Sequence, residues 1–146
     1  MRDINLTQLE TYFKVNTIYP ALIAKYFYQK LRSDKKTVFA ALSAKVGSIS
    51  DNQIGGWYGY RMSKTALNMF IKNLSIERSR SKKQAVVVGL HPGSVKSTLS
   101  EPFLKNIQHT IYEPKEAACQ IAQVLDQVER SKSGMQIDYR GNIIPA

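Results

Sequence analysis

A chain of 146 residues with 43% hydrophobic and 22% charged residues has the composition of a globular domain, or of a piece of a larger one. Its single cysteine, Cys119, excludes an intramolecular disulfide and a multi-cysteine metal site, and it fits a reducing compartment. The first residues carry no signal-peptide core and no apolar run reaches the length of a membrane span, so the expected setting is cytoplasmic, with no membrane. The formal charge of +10 is spread along the chain, apart from a cluster at Arg78, Arg80, Lys82 and Lys83. That cluster reads as a solvated helix end and loop. Without zinc spacing or an aromatic-and-basic sheet signature, no nucleic-acid partner is expected.

Thr7-Gln8-Leu9-Glu10 reads as a capping box that opens a helix to about Leu31. Leu9, Phe13, Tyr19, Ile23, Tyr26, Phe27 and Leu31 keep its helical period, and Pro20 is placed to kink it. The apolar run 37–42, after the charged turn Asp34-Lys35-Lys36, suits a strand buried on both faces. A loop from Ser43 to Tyr58 carries Gly47, Gly55 and Gly56 and leads to a second helix over about 59–80. Residues 85–90 form a second buried strand, ended by His91-Pro92-Gly93. A long irregular segment covers 94–112. Pro114 opens a third helix to about Glu129, with Ala118, Ile121, Ala122 and Leu125 on its apolar face and Cys119 in the core. A weaker strand over 134–139 and a turn at 140–142 follow. Helices alternating with buried strands predict an α/β fold with a parallel sheet and right-handed crossovers.

Tyr60 and Lys64 stand four residues apart at the start of the second helix, so one turn separates them and both leave the same face. A phenol titrates near pH 10, and a neighbouring ammonium favours its phenolate. A shift of about three pH units requires roughly 4 kcal/mol of differential stabilisation, more than one exposed Lys supplies. A desolvated Lys assisted by a cationic cofactor suffices. His91 and His109 have no second ligand at metal spacing, so no metal is expected. Trp57 and Tyr58 flank the pair and fit either a pocket wall or simple packing.

Four segments occur in order: Val15-Asn16-Thr17; Leu42-Ser43-Ala44-Lys45-Val46-Gly47-Ser48; Trp57 through Asn68, containing Tyr60-Arg61-Met62-Ser63-Lys64; and Leu90-His91-Pro92-Gly93-Ser94-Val95-Lys96-Ser97. In this set the chain resembles the C-terminal half of a short-chain dehydrogenase/reductase, nearest to C-factor-like and sniffer-type carbonyl reductases. The resemblance covers nearly the whole chain and implies a single incomplete domain over 1–146. Its fold would be a partial Rossmann-like, doubly wound parallel sheet lacking the N-terminal glycine-rich βαβ half. It implies an NAD(P)-dependent oxidoreductase acting on a small carbonyl or alcohol substrate. Tyr60 would be the general acid, with Lys64 lowering its pKa and binding the nicotinamide ribose. Asn16 would hold a water in a relay to Lys64. Pro92, Gly93 and the backbone of Val95 would line the nicotinamide, with Ser97 or Thr98 near its carboxamide.

Two departures qualify these implications. The family's substrate-polarising serine lies three residues before the glycine, where this chain has Ala44; Ser43 is the preferred substitute, with Ser48 the alternative. Its eight glycines contain no Gly-x-x-x-Gly-x-Gly set, so the chain alone is expected to bind NAD(P) weakly and to be inactive by itself. An open apolar edge at 37–42 and the two long helices, which the family commonly uses to dimerise, lead to an expected homo-oligomer or complementing polypeptide. The alternative function is a non-enzymatic C-factor-like signalling or interaction fragment.

Overall fold

The computed structural model describes residues 4–32, 35–80, 85–98, 100–101 and 110–146. His109, Lys82, Lys83 and Asp34 of the preceding readings lie outside them. Helix α1 spans Leu6–Phe13 and is capped by Asn5, whose side-chain oxygen accepts from Gln8 N at 2.9 Å. The cap is therefore two residues before the expected Thr7. Thr7 lies inside the first turn, where its carbonyl accepts from Thr11 Oγ1. Asn satisfies an N-terminal amide at least as well as Thr.

The long first helix is not continuous. A π-helical turn, Lys14–Ile18, separates α1 from α2 (Tyr19–Phe27), and a 3-10 turn follows at Lys30–Arg32. Pro20 is the cause that the sequence supplies. In an unbroken α-helix the Asn16 carbonyl would need the N–H that Pro20 lacks, and the wider turn absorbs that mismatch just before α2 begins. Asn16 is thereby set in a local bulge facing the next helix.

Strand β1 (Thr37–Leu42) pairs in parallel with β2 (Ala85–His91), and β2 pairs in parallel with β5 (Gln136–Asp138). The fourth strand of this sheet, β6 (Ile143–Ile144), returns antiparallel to β5 through the turn in which Gly141 N donates to the Asp138 carbonyl. The order is β1-β2-β5-β6. The sheet is thus mixed at one end, because a short turn can join only antiparallel neighbours.

Helix α3 (Tyr58–Ser79) and helix α4 (Pro114–Gln127) cover opposite faces, which makes the sheet doubly wound. The period of two along β2 divides its side chains between the faces. Ala85 and Val87 pack with Ala24, Leu31, Leu67, Ile71 and Leu74 on the α2–α3 side. Val86, Val88 and Leu90 pack with Ile137, Val128 and residues of α4 on the other. β1, at the sheet edge, is only half-buried and ends on an exposed Leu42, short of the full burial its composition predicts. In α4 the inward face is Ala117, Ile121, Val124 and Leu125, so Ala118 and Ala122 are exposed and Cys119 is not in the core. Its N-cap, Glu113, forms a capping box with Glu116, and Pro114 takes the first-turn position expected of it. The irregular segment contains two short parallel strands, β3 (Ser94–Val95) and β4 (Ile111–Tyr112).

Among the described residues, no helix is long and apolar enough to cross a membrane. The outer faces of α1–α3 carry exposed Leu6, Val15, Tyr19, Leu22, Tyr26, Met62 and Met69.

The connection from β1 to α3 is held by a close approach. A 3-10 turn at Lys45–Gly47 lies so near α3 that a Cβ on Gly47 would stand 2.8 Å from Lys64 Cβ and 2.9 Å from the Lys64 carbonyl carbon. Neither atom is the end of a flexible side chain, so the helix itself must shift. Gly47→Ala is expected to lower stability by about 1–3 kcal/mol in urea unfolding, the usual cost of overpacking.

Candidate active site

β1 and β2 end side by side, with Leu42 in register with Leu90, and the chain leaves both strands toward the first turns of α3. In a parallel α/β sheet this carboxyl end is where functional groups collect. A cavity of about 540 Å³ lies here. Ser43 and Ala44 from the end of β1, the segment Gly56–Tyr60, and His91–Val95 with Ser97 line it, and Gln8 and Tyr12 of α1 close one side.

Tyr60 is half-buried in this wall, and its ring is tilted against that of Tyr12 with centroids 5.9 Å apart. Gly59 permits the approach, since a Cβ there would meet the Tyr12 ring at 2.9 Å. Lys64 is buried one turn further along, with its Nζ 5.7 Å from the Tyr60 ring centre. That ammonium donates to the Leu42 carbonyl at 2.8 Å. It is thus tied to the last residue of β1.

Burial acts on the two groups in opposite directions. It pulls the Lys64 ammonium down to about 8. It pushes the Tyr60 phenol above its ordinary value, and the nearby Tyr12 phenol adds to the rise. The Tyr60 phenol thus stands above its ordinary value, opposite to the direction in which Lys64 acts on it. Desolvation outweighs a cation that is already engaged by a carbonyl.

Asn16 does not reach Lys64 directly. Its Nδ2 donates to Ser63 Oγ at 3.0 Å, and Ser63 Oγ in turn donates to the Tyr60 carbonyl at 2.8 Å. Thr17 Oγ1 donates to the Ser63 carbonyl, so two consecutive residues of the π turn fasten α3 at Ser63. Ser43 borders the cavity, but its hydroxyl donates to Asn68 Oδ1 at 2.7 Å. Asn68 completes this buried network by donating to Gln136 Oε1 at 2.8 Å and, at 3.3 Å, to the Gly47 carbonyl. Ser48, the alternative, is not part of the lining; its Oγ accepts from Asp51 N within a turn. Ala44, at the position where the resemblance places a serine, does line the cavity.

Pro92, Gly93, Val95 and Ser97 form the wall opposite Tyr60's helix. Gly93 has φ +80° and sits against Tyr139, where a Cβ would stand 3.0 Å from the ring. Both facts require glycine at this position. Ser97 shares a tight turn with Ser100, whose Oγ donates to the Val95 carbonyl at 2.6 Å. Thr98 is exposed and does not border the cavity. Tyr12 lines the cavity and Asn68 joins the network behind it, neither singled out by its sequence position, and His91, at the end of β2 before the Pro-Gly turn, lines the cavity too. Helical period from Asn16 could have pointed to Tyr12, which lies one turn earlier; nothing local marks Asn68. No group of three metal-ligating side chains occurs among the described residues.

No model of a known protein family matches the chain. Compared with individual proteins, the chain is similar over nearly its whole length to C-signal and to an oxidoreductase. It is 29% identical over 143 residues to C-signal of Myxococcus xanthus, covering 98% of this chain and 81% of that protein. It is 27% identical over 145 residues to an uncharacterized oxidoreductase of Schizosaccharomyces pombe, covering 92% of this chain and 56% of the other. Among solved structures, the carbonyl reductase Sniffer of D. melanogaster superposes with a TM-score of 0.86 at 24% identity. An NADPH-bound carbonyl reductase from chicken fatty liver does so with 0.83 at 23%. Both matches take in all of this chain and 60% of the other, and they establish the Rossmann-like fold.

The Lys64 shift has a consequence for stability. Its folded value of about 8 lies below the ordinary 10.5, so between those two the unfolded chain binds more protons. Stability attributable to Lys64 therefore rises with pH from about 8 to about 10.5 and is flat below. Thermal melts of wild type and Lys64→Met across pH 7 to about 10.5 should show the difference in Tm moving in favour of wild type through that window, and level beneath it.

Proposed function

We propose that the chain is the catalytic portion of an NAD(P)-dependent oxidoreductase that reduces the carbonyl group of a small molecule, or oxidises the corresponding alcohol. The observation that carries this reading is the cavity in which Tyr60 stands above the buried Lys64 and faces the backbone of Pro92–Val95. A nicotinamide dinucleotide supplies the hydride when bound; Tyr60, Lys64, Pro92, Gly93, Val95 and Ser97 are the residues that would hold its nicotinamide end. The fit rests on Gly93, whose φ of +80° and close approach to Tyr139 hold the Pro92–Val95 segment at the edge of the cavity.

Tyr60 delivers its phenolic proton to the substrate oxygen. Its raised pKa keeps that proton in place at neutral pH, which suits the reducing direction. Lys64 then stabilises the phenolate by its charge, at low dielectric where that attraction is strongest. Asn16 orients the pair by fixing Ser63 and hence the first turn of α3. Ser43 is the serine of this reading, since it borders the cavity and Ser48 does not.

Residues 1–146 by themselves are proposed to hold the dinucleotide weakly and to need a second polypeptide, or further chain, for turnover. The support is the lack of a Gly-x-x-x-Gly-x-Gly set in the sequence. The exposed apolar faces of α1–α3 would be covered by a second copy or that complementing segment. A second reading, a non-enzymatic signalling or interaction fragment, is favoured by the similarity to C-signal, 81% of whose length is matched.

Calorimetry with NADPH and NADH should give no binding as tight as micromolar for the chain alone; micromolar binding would overturn the proposed weakness. Co-expression with a polypeptide carrying a glycine-rich strand–turn–helix should restore carbonyl-dependent NADPH oxidation. In that assembly Tyr60→Phe should reduce the rate at least about 100-fold without a change in Tm. Undiminished activity in Tyr60→Phe would remove Tyr60 from the mechanism, and no activity in any pairing would favour the second reading.

A further inference from the structure

Trp57 is the only residue other than glycine with a positive φ among the described residues. Its φ is +45°, and Gly55 and Gly56 before it have φ +68° and +69°, so three consecutive residues are left-handed. Glycine adopts this backbone freely, whereas a bulky side chain there is strained. Such strain persists only where the surroundings hold it, and it collects at functional sites.

The restraint here is Arg61. Its Nε donates to the Gly55 carbonyl at 3.2 Å and the Gly56 carbonyl at 3.1 Å, and a terminal nitrogen donates to the Val46 carbonyl at 3.2 Å. Its guanidinium also lies over the Trp57 ring, 5.7 Å from the centre. One side chain thus spans both ends of the β1–α3 connection and lies over Trp57, the residue that follows Gly56. A planar guanidinium can bond several carbonyls while stacking on a ring; an ammonium cannot. Neither Gly55 nor Gly56 is held by close packing, since nothing lies within 4 Å of a Cβ built on either. Hydrogen bonds rather than contacts therefore define the loop.

What this strained position supplies is a face of the cavity. Trp57 lines it beside Tyr58 and Tyr60, with Tyr12 across from them. We propose that Trp57 is a specificity-determining wall of this cavity, favouring ligands with a flat conjugated ring, and that Arg61 is the positioning residue that holds it. The choice of a ketone as ligand rests on the function proposed above.

Two ketones of matched carbon skeleton separate the ring's flatness from its bulk: acetophenone and cyclohexyl methyl ketone. Calorimetric or ligand-observed NMR titration of the full chain should give about fivefold tighter binding of acetophenone, the scale of one aromatic pair. Trp57→Gly should melt at or above wild type and lose that preference, while Trp57→Phe retains it. Trp57 is the one tryptophan of the chain, so its fluorescence reports on this wall alone. In Arg61→Ala and Arg61→Lys, acrylamide quenching should rise about twofold and the ketone preference fall toward unity. The proposal is overturned if wild type does not distinguish the ketones, if Trp57→Gly keeps the preference or melts well below wild type, or if Arg61→Ala changes Tm alone. None of these measurements requires hydride transfer. A chain that binds with the expected preference but reduces no ketone in any pairing would refute the proposed function and leave this inference standing.

Discussion

The ammonium of Lys64, buried and bonded to the carbonyl of Leu42, joins the first turns of α3 to the end of β1. Much of the local architecture serves this junction. Gly47 is bare so that the 3-10 turn can pass over Lys64, and Thr65 and Asn68 both donate to the Gly47 carbonyl from the next turn of the helix. The same turn of α3 is fastened on its other side by Asn16 and Thr17 at Ser63. A desolvated cation is thus met by one backbone carbonyl and enclosed by close packing.

That arrangement explains why the two groups respond oppositely to one environment. Burial disfavours whichever form carries charge, so the phenol holds its proton more firmly and the ammonium less so. Proximity alone would have them stabilise each other as phenolate and ammonium. Burial prevails here, because the Lys64 charge is already met by a carbonyl and the Tyr12 phenol stands beside Tyr60.

Legibility differed between elements for physical reasons. β1, β2 and α3 could be read closely because a buried strand is a continuous apolar run and a long helix keeps its period. The break in the first helix was visible as Pro20, but a proline does not announce whether the chain bends, stops or widens into a π turn; here the partner at Ser63 decided it. On α4, Ile121 and Leu125 face the core as read, whereas Ala118 and Ala122 are exposed and Ala117 and Val124 take the inward places. Small residues such as alanine fit either a core or a surface. β6 escaped notice because two residues are too few to show alternation.

Sequence alone determined that Tyr60 and Lys64 share one helical face, since that follows from 3.6 residues per turn, and that both strands end where the site begins. Only the tertiary structure decided which serine borders the cavity, that Asn16 acts on Ser63, and that Tyr12 and Trp57 complete the lining. These depend on how elements far apart in sequence approach one another, at Gly47, Gly59 and Gly93, to within a few tenths of an ångström. Local pattern specifies which face a residue occupies; what that face meets is set by packing.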